Sequence, residues 1–183
     1  PHDWSIEGTP TEDAPGGGQV GYFPNGVGWY RKTFRLPAGA LTGAVWLEFD
    51  GVYMNSDVWL NGVHLGRRPY GYASFAYDIT RQLRPGDNVV AVRVDNAAEP
   101  NSRWYTGSGI YRHVWLRTMA PLHLGHWGTF VTTPRADTSG AEIAVRTRIE
   151  NDGTVPRRGV LASAVVGPGG GLLARVETPF SVG

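Results

Sequence analysis

Asp57-Val58-Trp59-Leu60-Asn61-Gly62-Val63-His64-Leu65-Gly66 is the stretch that decides the fold. Two alternating apolar and polar runs meet at Asn61-Gly62, a pair suited to the positive φ angles of a type I′ turn, so the stretch predicts a two-residue β-hairpin. Leu60 then pairs with Val63, Trp59 with His64 and Val58 with Leu65. One face carries Val58, Leu60, Val63 and Leu65, and the other the more polar Trp59 and His64.

The same period of two recurs on both sides of the hairpin. Trp29 to Leu36 reads as a strand closed by Pro37, and Ala44 to Asp50 places Val45, Leu47 and Phe49 on one face and Trp46 and Glu48 on the other. Val89 to Asn96 alternates in the same way, and Ile110 to Arg117 predicts a further strand. Asp78 to Leu83 fits a single helical turn, stopped by Pro85-Gly86-Asp87-Asn88. No segment before Ala120 has the 3.6-residue period of a long helix. A closed antiparallel sandwich is the natural way to bury such strands, which makes the fold class all-β. The first thirty residues are too rich in Pro and Gly for continuous structure. Gly16, Gly18 and Gly21 match a dinucleotide fingerprint in spacing only, because no strand precedes them and no amphipathic helix follows.

Met119-Ala120-Pro121 marks an expected boundary between residues 1–120 and 121–183. Beyond it, strands are predicted at Leu122 to Thr132, Ala141 to Asn151, Gly159 to Val166 and Leu172 to Val182, separated by Gly- and Asp-rich turns. Their spacing suggests an immunoglobulin-like sandwich. A complete one needs about seven strands, so the second region reads as partial, with apolar faces and an open edge expected either to recruit a neighbouring chain, as in a homo-oligomer, or to remain poorly ordered. The chain starts at Pro1 without a methionine and stops at Gly183 inside strand-like sequence, and so reads as a piece of a longer protein.

Composition removes several classes of function. The net charge is +1, and the 17 basic residues, of which only Lys32 is a lysine, are scattered rather than gathered into a stripe. No nucleic-acid partner is implied. No apolar run approaches the ~20 residues of a membrane span. Without cysteine there is no disulfide frame or thiolate metal site. His123 and His126 stand three apart in a predicted strand, where side chains alternate, which is awkward for a shared metal; no metal or cofactor is called for. Ser108, between Gly107 and Gly109, is too short a match for a nucleophile elbow. The seven glutamates are scattered singly and read as solvated surface carboxylates.

Asn101 to Leu116, Asn-Ser-Arg-Trp-Tyr-Thr-Gly-Ser-Gly-Ile-Tyr-Arg-His-Val-Trp-Leu, is the chemically dense stretch. Aromatic rings beside Arg, Asn and Ser are what a pyranose requires, since it offers flat C-H faces and a rim of hydroxyls. Two readings stand at this point. Either these groups form a sugar site, or Trp104, Tyr105, Tyr111 and Trp115 are core aromatics and Arg112 holds a neighbouring carboxylate.

Pro1-His2-Asp3-Trp4-Ser5-Ile6, Gly28-Trp29-Tyr30-Arg31-Lys32-Thr33-Phe34, Gly51-Val52-Tyr53-Met54-Asn55-Ser56-Asp57-Val58-Trp59-Leu60-Asn61-Gly62 and Tyr70-Gly71-Tyr72, with the stretch from Asn101, resemble the N-terminal part of family 2 glycoside hydrolases, above all their bacterial β-galactosidases. The resemblance covers nearly all of residues 1–134. It implies a galactose-binding-domain-like jelly-roll sandwich over 1–120, an immunoglobulin-like domain truncated at 183, and a downstream TIM barrel that carries both catalytic glutamates of a retaining exo-glycosidase. The chain itself is then expected to be non-catalytic. A terminal β-galactoside is the implied substrate, and Asn101, Ser102, Arg103 and Trp104 are the implied contacts, with Asp3 and Trp4 behind them. Some β-galactosidases place an Asp in this loop that also serves sodium, whereas here Ser102 or Arg103 stands nearby, so no metal role carries over. A free-standing carbohydrate-binding module, or a fragment of a family 2 β-glucuronidase or β-mannosidase, are the alternatives. Localisation stays open between bacterial cytoplasm and periplasm or secretion.

Overall fold

The computed structural model describes residues 2–37, 39, 43–98, 101–102 and 104–183. The chain divides into two compact units, the first ending at Thr118 and the second spanning Met119–Gly183. In the first, a four-stranded sheet has the order β2-β7-β4-β5, with β2 Gly26–Arg35, β4 Ser56–Leu60, β5 Val63–Arg68 and β7 Asp87–Asn96. A three-stranded sheet has the order β6-β3-β9, with β3 Val45–Phe49, β6 Phe75–Asp78 and β9 Val114–Thr118. All pairings are antiparallel. A short pair, β1 His2–Asp3 with β8 Gly109–Ile110, ties the start of the chain to the end of a long loop.

The core lies between the two sheets because each contributes the apolar half of its alternation. Val45, Leu47 and Phe49 of β3 and Phe75 of β6 meet Val58 and Leu60 of β4 and Val92 and Val94 of β7, with Val52 and Ile79 filling between. Phe49 and Phe75 stack with ring centroids 5.0 Å apart. Burial of each such side chain is worth roughly 1.5–3 kcal/mol. The all-β sandwich is therefore as the alternation predicts.

The hairpin keeps its turn and changes its register. Asn61 and Gly62 have φ of 51° and 86°, and Leu60↔Val63 and Trp59↔His64 pair as expected, but Val58 lies opposite Gly66 rather than Leu65. A bulge at Leu65 absorbs the extra residue. A Cβ on Gly66 would stand 2.8 Å from the Tyr77 ring, a tertiary contact that no local rule anticipates. The Asn61 side chain also closes the turn below it. Its amide donates to Gln82 O and to Asn88 Oδ1, both at 2.8 Å, and its carbonyl accepts from Val89 N at 2.9 Å. Asn88 is fully buried, and it donates to the carbonyls of Arg84 and Gly86.

Three other expectations change. Residues 78–83 form no helix; Asp78 ends β6 and binds Thr80, and Gln82 N reaches Ile79 O in a single tight turn. The strand expected over Ile110 to Arg117 is broken at 111–113 into β8 and β9. Glu48 is buried rather than solvated, because Arg117 on β9 reaches back to bind its carboxylate.

The second unit contains β10 Leu122–Asp137 paired with β11 Gly140–Asn151, and β12 Arg157–Val166 paired with β13 Leu172–Val182. These are two separate antiparallel ribbons. Among the described residues every buried apolar side chain belongs to the first unit, whereas Phe130, Val160, Leu173 and Val176 of the ribbons are exposed.

Candidate functional site

The loop that leaves β7 at Asn96 and re-enters the fold at β8 is fastened from beneath by side chains from distant parts of the chain. Asp3 is the hub. Its carboxylate accepts from Ser5 N at 3.1 Å, Ser5 Oγ at 2.6 Å and Ser108 N at 2.8 Å, and also from the Tyr105 hydroxyl. Burial pushes the Asp3 pKa up, but the hydrogen bonds from Ser5, Tyr105 and Ser108 together outweigh it, and the net shift is downward. The Tyr105 hydroxyl, desolvated and donating to that carboxylate, is pushed up to about 12. Asn96, also buried, donates to Gly107 O at 3.2 Å and Ser108 Oγ at 2.8 Å. Gly107 and Gly109 have φ of 70° and 120°; a Cβ on the first would meet the Asp3 carboxylate and on the second the Tyr30 hydroxyl. Glycine at 107 and 109 thus lets the loop close onto Asp3 and Tyr30.

Above this anchorage the loop carries an aromatic surface. Asn101 lies over Asn96, its amide 2.5 Å from Asn96 Oδ1, and receives the Tyr53 hydroxyl at 3.4 Å. Ser102 Oγ accepts from Trp104 N at 3.1 Å, and the Trp104 side chain is exposed. The Trp104 indole N-H points to the Tyr72 hydroxyl at 3.5 Å. Tyr72 in turn packs against Tyr53 at 5.2 Å and Tyr70 at 5.8 Å between centroids. Trp104 is 56 % exposed and Tyr70 65 %. The arrangement offers flat apolar surface rimmed by hydroxyl and amide groups, chemistry that matches a pyranose ring.

Residues 21–120 match the family described as glycosyl hydrolases family 2, sugar binding domain. The chain belongs to family 2 of the glycosyl hydrolases, as part of its sugar-binding N-terminal region. It is 54% identical over 153 residues to the β-galactosidase BoGH2A of Bacteroides ovatus, which is 83% of this chain and 18% of that protein. It is 35% identical over 170 residues to a β-glucuronidase of Formosa agariphila, 81% of this chain and 17% of that protein. A crystal structure of a family 2 member from Bacteroides cellulosilyticus superposes with a TM-score of 0.90 at 42% identity, over 99% of this chain and 24% of that one. The chain thus spans less than a fifth of the length of either of these two curated relatives.

Within this family 2 domain, the residues singled out in the sequence fall into two groups. Asn101, Ser102 and Trp104 lie together at the top of the loop, and Arg103 lies outside the described residues. Asp3 and Trp4 lie beneath: Asp3 is consumed by its four internal donors, and the Trp4 ring packs against Gly28 and Gly109 with its indole N-H buried and unpartnered. Tyr53, Tyr70 and Tyr72 stand beside Asn101 and Trp104 without having been among the candidate contacts, whereas Tyr105, part of the dense stretch, is held on Asp3 beneath them. Tyr70-Gly71-Tyr72 is a visible aromatic cluster in the sequence, yet only the fold brings it to Trp104. Tyr105 and Trp115 are exposed and Tyr111 is half-buried with its hydroxyl on Gly71 O, so these aromatics are not core.

Proposed function

We propose that this chain is the non-catalytic N-terminal part of a retaining exo-acting β-glycosidase, with terminal β-galactosides as substrate, and that its Asn101–Trp104 loop completes the sugar pocket of a downstream TIM barrel. The observation that carries the reading is the loop itself: it is pinned from below by Asp3 and Asn96 while its Trp104 ring stays exposed. A loop held this way presents a side chain without loss of order on binding. Arg103, the residue before Trp104 in the sequence, brings a planar guanidinium, a group able to give parallel hydrogen bonds to neighbouring hydroxyls or to a barrel carboxylate. Asp3 acts as the anchor, and the Trp4 ring packs beneath the loop against Gly28 and Gly109.

The absence of catalysis in the isolated chain is supported by the ion pairs that four of its seven glutamates make. Glu7 faces His2, Glu48 Arg117, Glu150 both Arg148 and His123, and Glu177 Arg175. A retaining glycosidase needs two carboxyls ~5–5.5 Å apart and free to protonate and attack. Hydrolysis of nitrophenyl β-galactoside and nitrophenyl β-glucuronide by this chain and by the full-length protein tests the reading. The account expects no turnover by the chain and preference for the galactoside by the full-length protein. Turnover by the chain that vanishes on mutation of one of its own glutamates overturns the first part. Preference for the glucuronide overturns the second, in favour of the reading that the β-glucuronidase relative supports.

A further inference from the structure

The outer face of the four-stranded sheet carries a second aromatic platform. Inward residues of β2, β4 and β7 belong to the core, so Trp29, Arg93, Asp57 and Trp59, which alternate with them, face out. Ala91 lies between Arg31 on β2 and Trp59 on β4 in the ladder, and its small side chain lets the indoles of Trp29 and Trp59 meet across β7. They stack with centroids 5.3 Å apart at 28°, and His64 continues the row from Trp59 at 5.0 Å. Trp29 is nevertheless 63 % exposed, so one face of its ring is covered by Trp59 and the other is free.

Polar groups of both signs lie in the same cross-strand row as Trp29 and beside it on β7. Arg93 is the direct cross-strand neighbour of both Trp29 and Asp57. Its guanidinium lies 2.8 Å from Asp95 and 3.8 Å from Asp57, and Asp57 also holds His64 Nε2 at 3.0 Å. The result is a stacked, exposed indole in the same sheet rows as planar donors and carboxylate acceptors. A neutral polyol needs a flat apolar surface with donors and acceptors at its rim. The complementarity is therefore to a saccharide.

We infer that Trp29, supported by Trp59 and flanked by Arg93 and Asp57, is a glycan-binding surface on the sheet face, separate from the Asn101–Trp104 loop, that holds a pyranose unit of a longer β-linked chain. The inference rests on the sugar-binding reading of this domain given above. It assigns the sheet face to the polymer and the loop to the terminal residue.

The test is affinity electrophoresis of the 183-residue chain in gels containing soluble β-1,4-galactan, with NMR of the indole N-H signals on titration with galactan oligosaccharides. The wild-type chain should be retarded. Trp29→Ala should weaken retardation at least ~10-fold, as truncation of a central tryptophan contact does. Trp29→Tyr should restore part of it. The indole signal that disappears in Trp29→Tyr should be the one that shifts on titration. Equal retardation of wild type and Trp29→Ala, or no retardation of the wild type, overturns the inference. So does a Trp29→Ala protein whose sedimentation changes while its glycan response does not, since the face would then be an interface between protein chains. None of these results bears on the loop, whose role is read from the kinetics of the full-length protein.

Discussion

The two units of this chain are built from the same kind of strand and reach opposite outcomes. In the first, two sheets of four and three strands face each other, and ten apolar side chains close into a core. In the second, two two-stranded ribbons leave Phe130, Leu173 and Val176 more than 60 % exposed. Alternation alone therefore makes strands, and it is the number of strands available to face one another that makes a core. The candidate contacts Asn101, Ser102 and Trp104 belong to the first unit.

The largest expected effect that sharpens this contrast is at Phe49. Phe49→Ala removes the centre of the core and should cost ~3–5 kcal/mol, while Phe130→Ala in the second unit should stay within about 0.5 kcal/mol. Urea unfolding of both variants, followed by tryptophan fluorescence, measures this. Similar losses would mean that the second unit has a core of its own.

A smaller effect is expected at the hairpin turn. Gly62→Val places a β-branched residue at a φ of 86° and should destabilise the first unit by more than ~1 kcal/mol. A thermal melt unchanged by the substitution would show that the turn is not held in the left-handed region.

The smallest is electrostatic and sits under the loop. Since the folded-state pKa of Asp3 lies below its ordinary value of 3.8, its carboxylate contributes stability that is fully present above that value and is lost as pH falls through the lowered folded pKa. The difference in Tm between wild type and Asp3→Asn should be constant well above pH 3.8 and shrink below it. A difference independent of pH in the acid range would mean that Asp3 acts through shape alone.

What the sequence disclosed follows the range of each interaction. The Asn61-Gly62 turn was legible because φ preference and alternation are local, and the strands of both units followed from the same rule. The bulge at Leu65 was not, because it depends on Tyr77, and the burial of Glu48 was not, because Arg117 stands 69 residues away. The site shows the same division. The dense run from Asn101 marks the loop, but the partnership of Asp3 with Tyr105 spans 102 residues, and the Trp104–Tyr72 contact 32. Residue types at one locus can nominate a site, and only the fold distinguishes the anchor from the contact.

The central claim is that this loop contributes to the sugar pocket of the complete enzyme, and the kcat/KM of full-length Arg103→Ala toward nitrophenyl β-galactoside, measured beside its Tm, tests it most directly. The account expects a loss of at least ~10-fold, equivalent to ~1.4 kcal/mol of transition-state binding, with Tm unchanged. Unaltered kinetics, or activity that falls only in step with Tm, would contradict it.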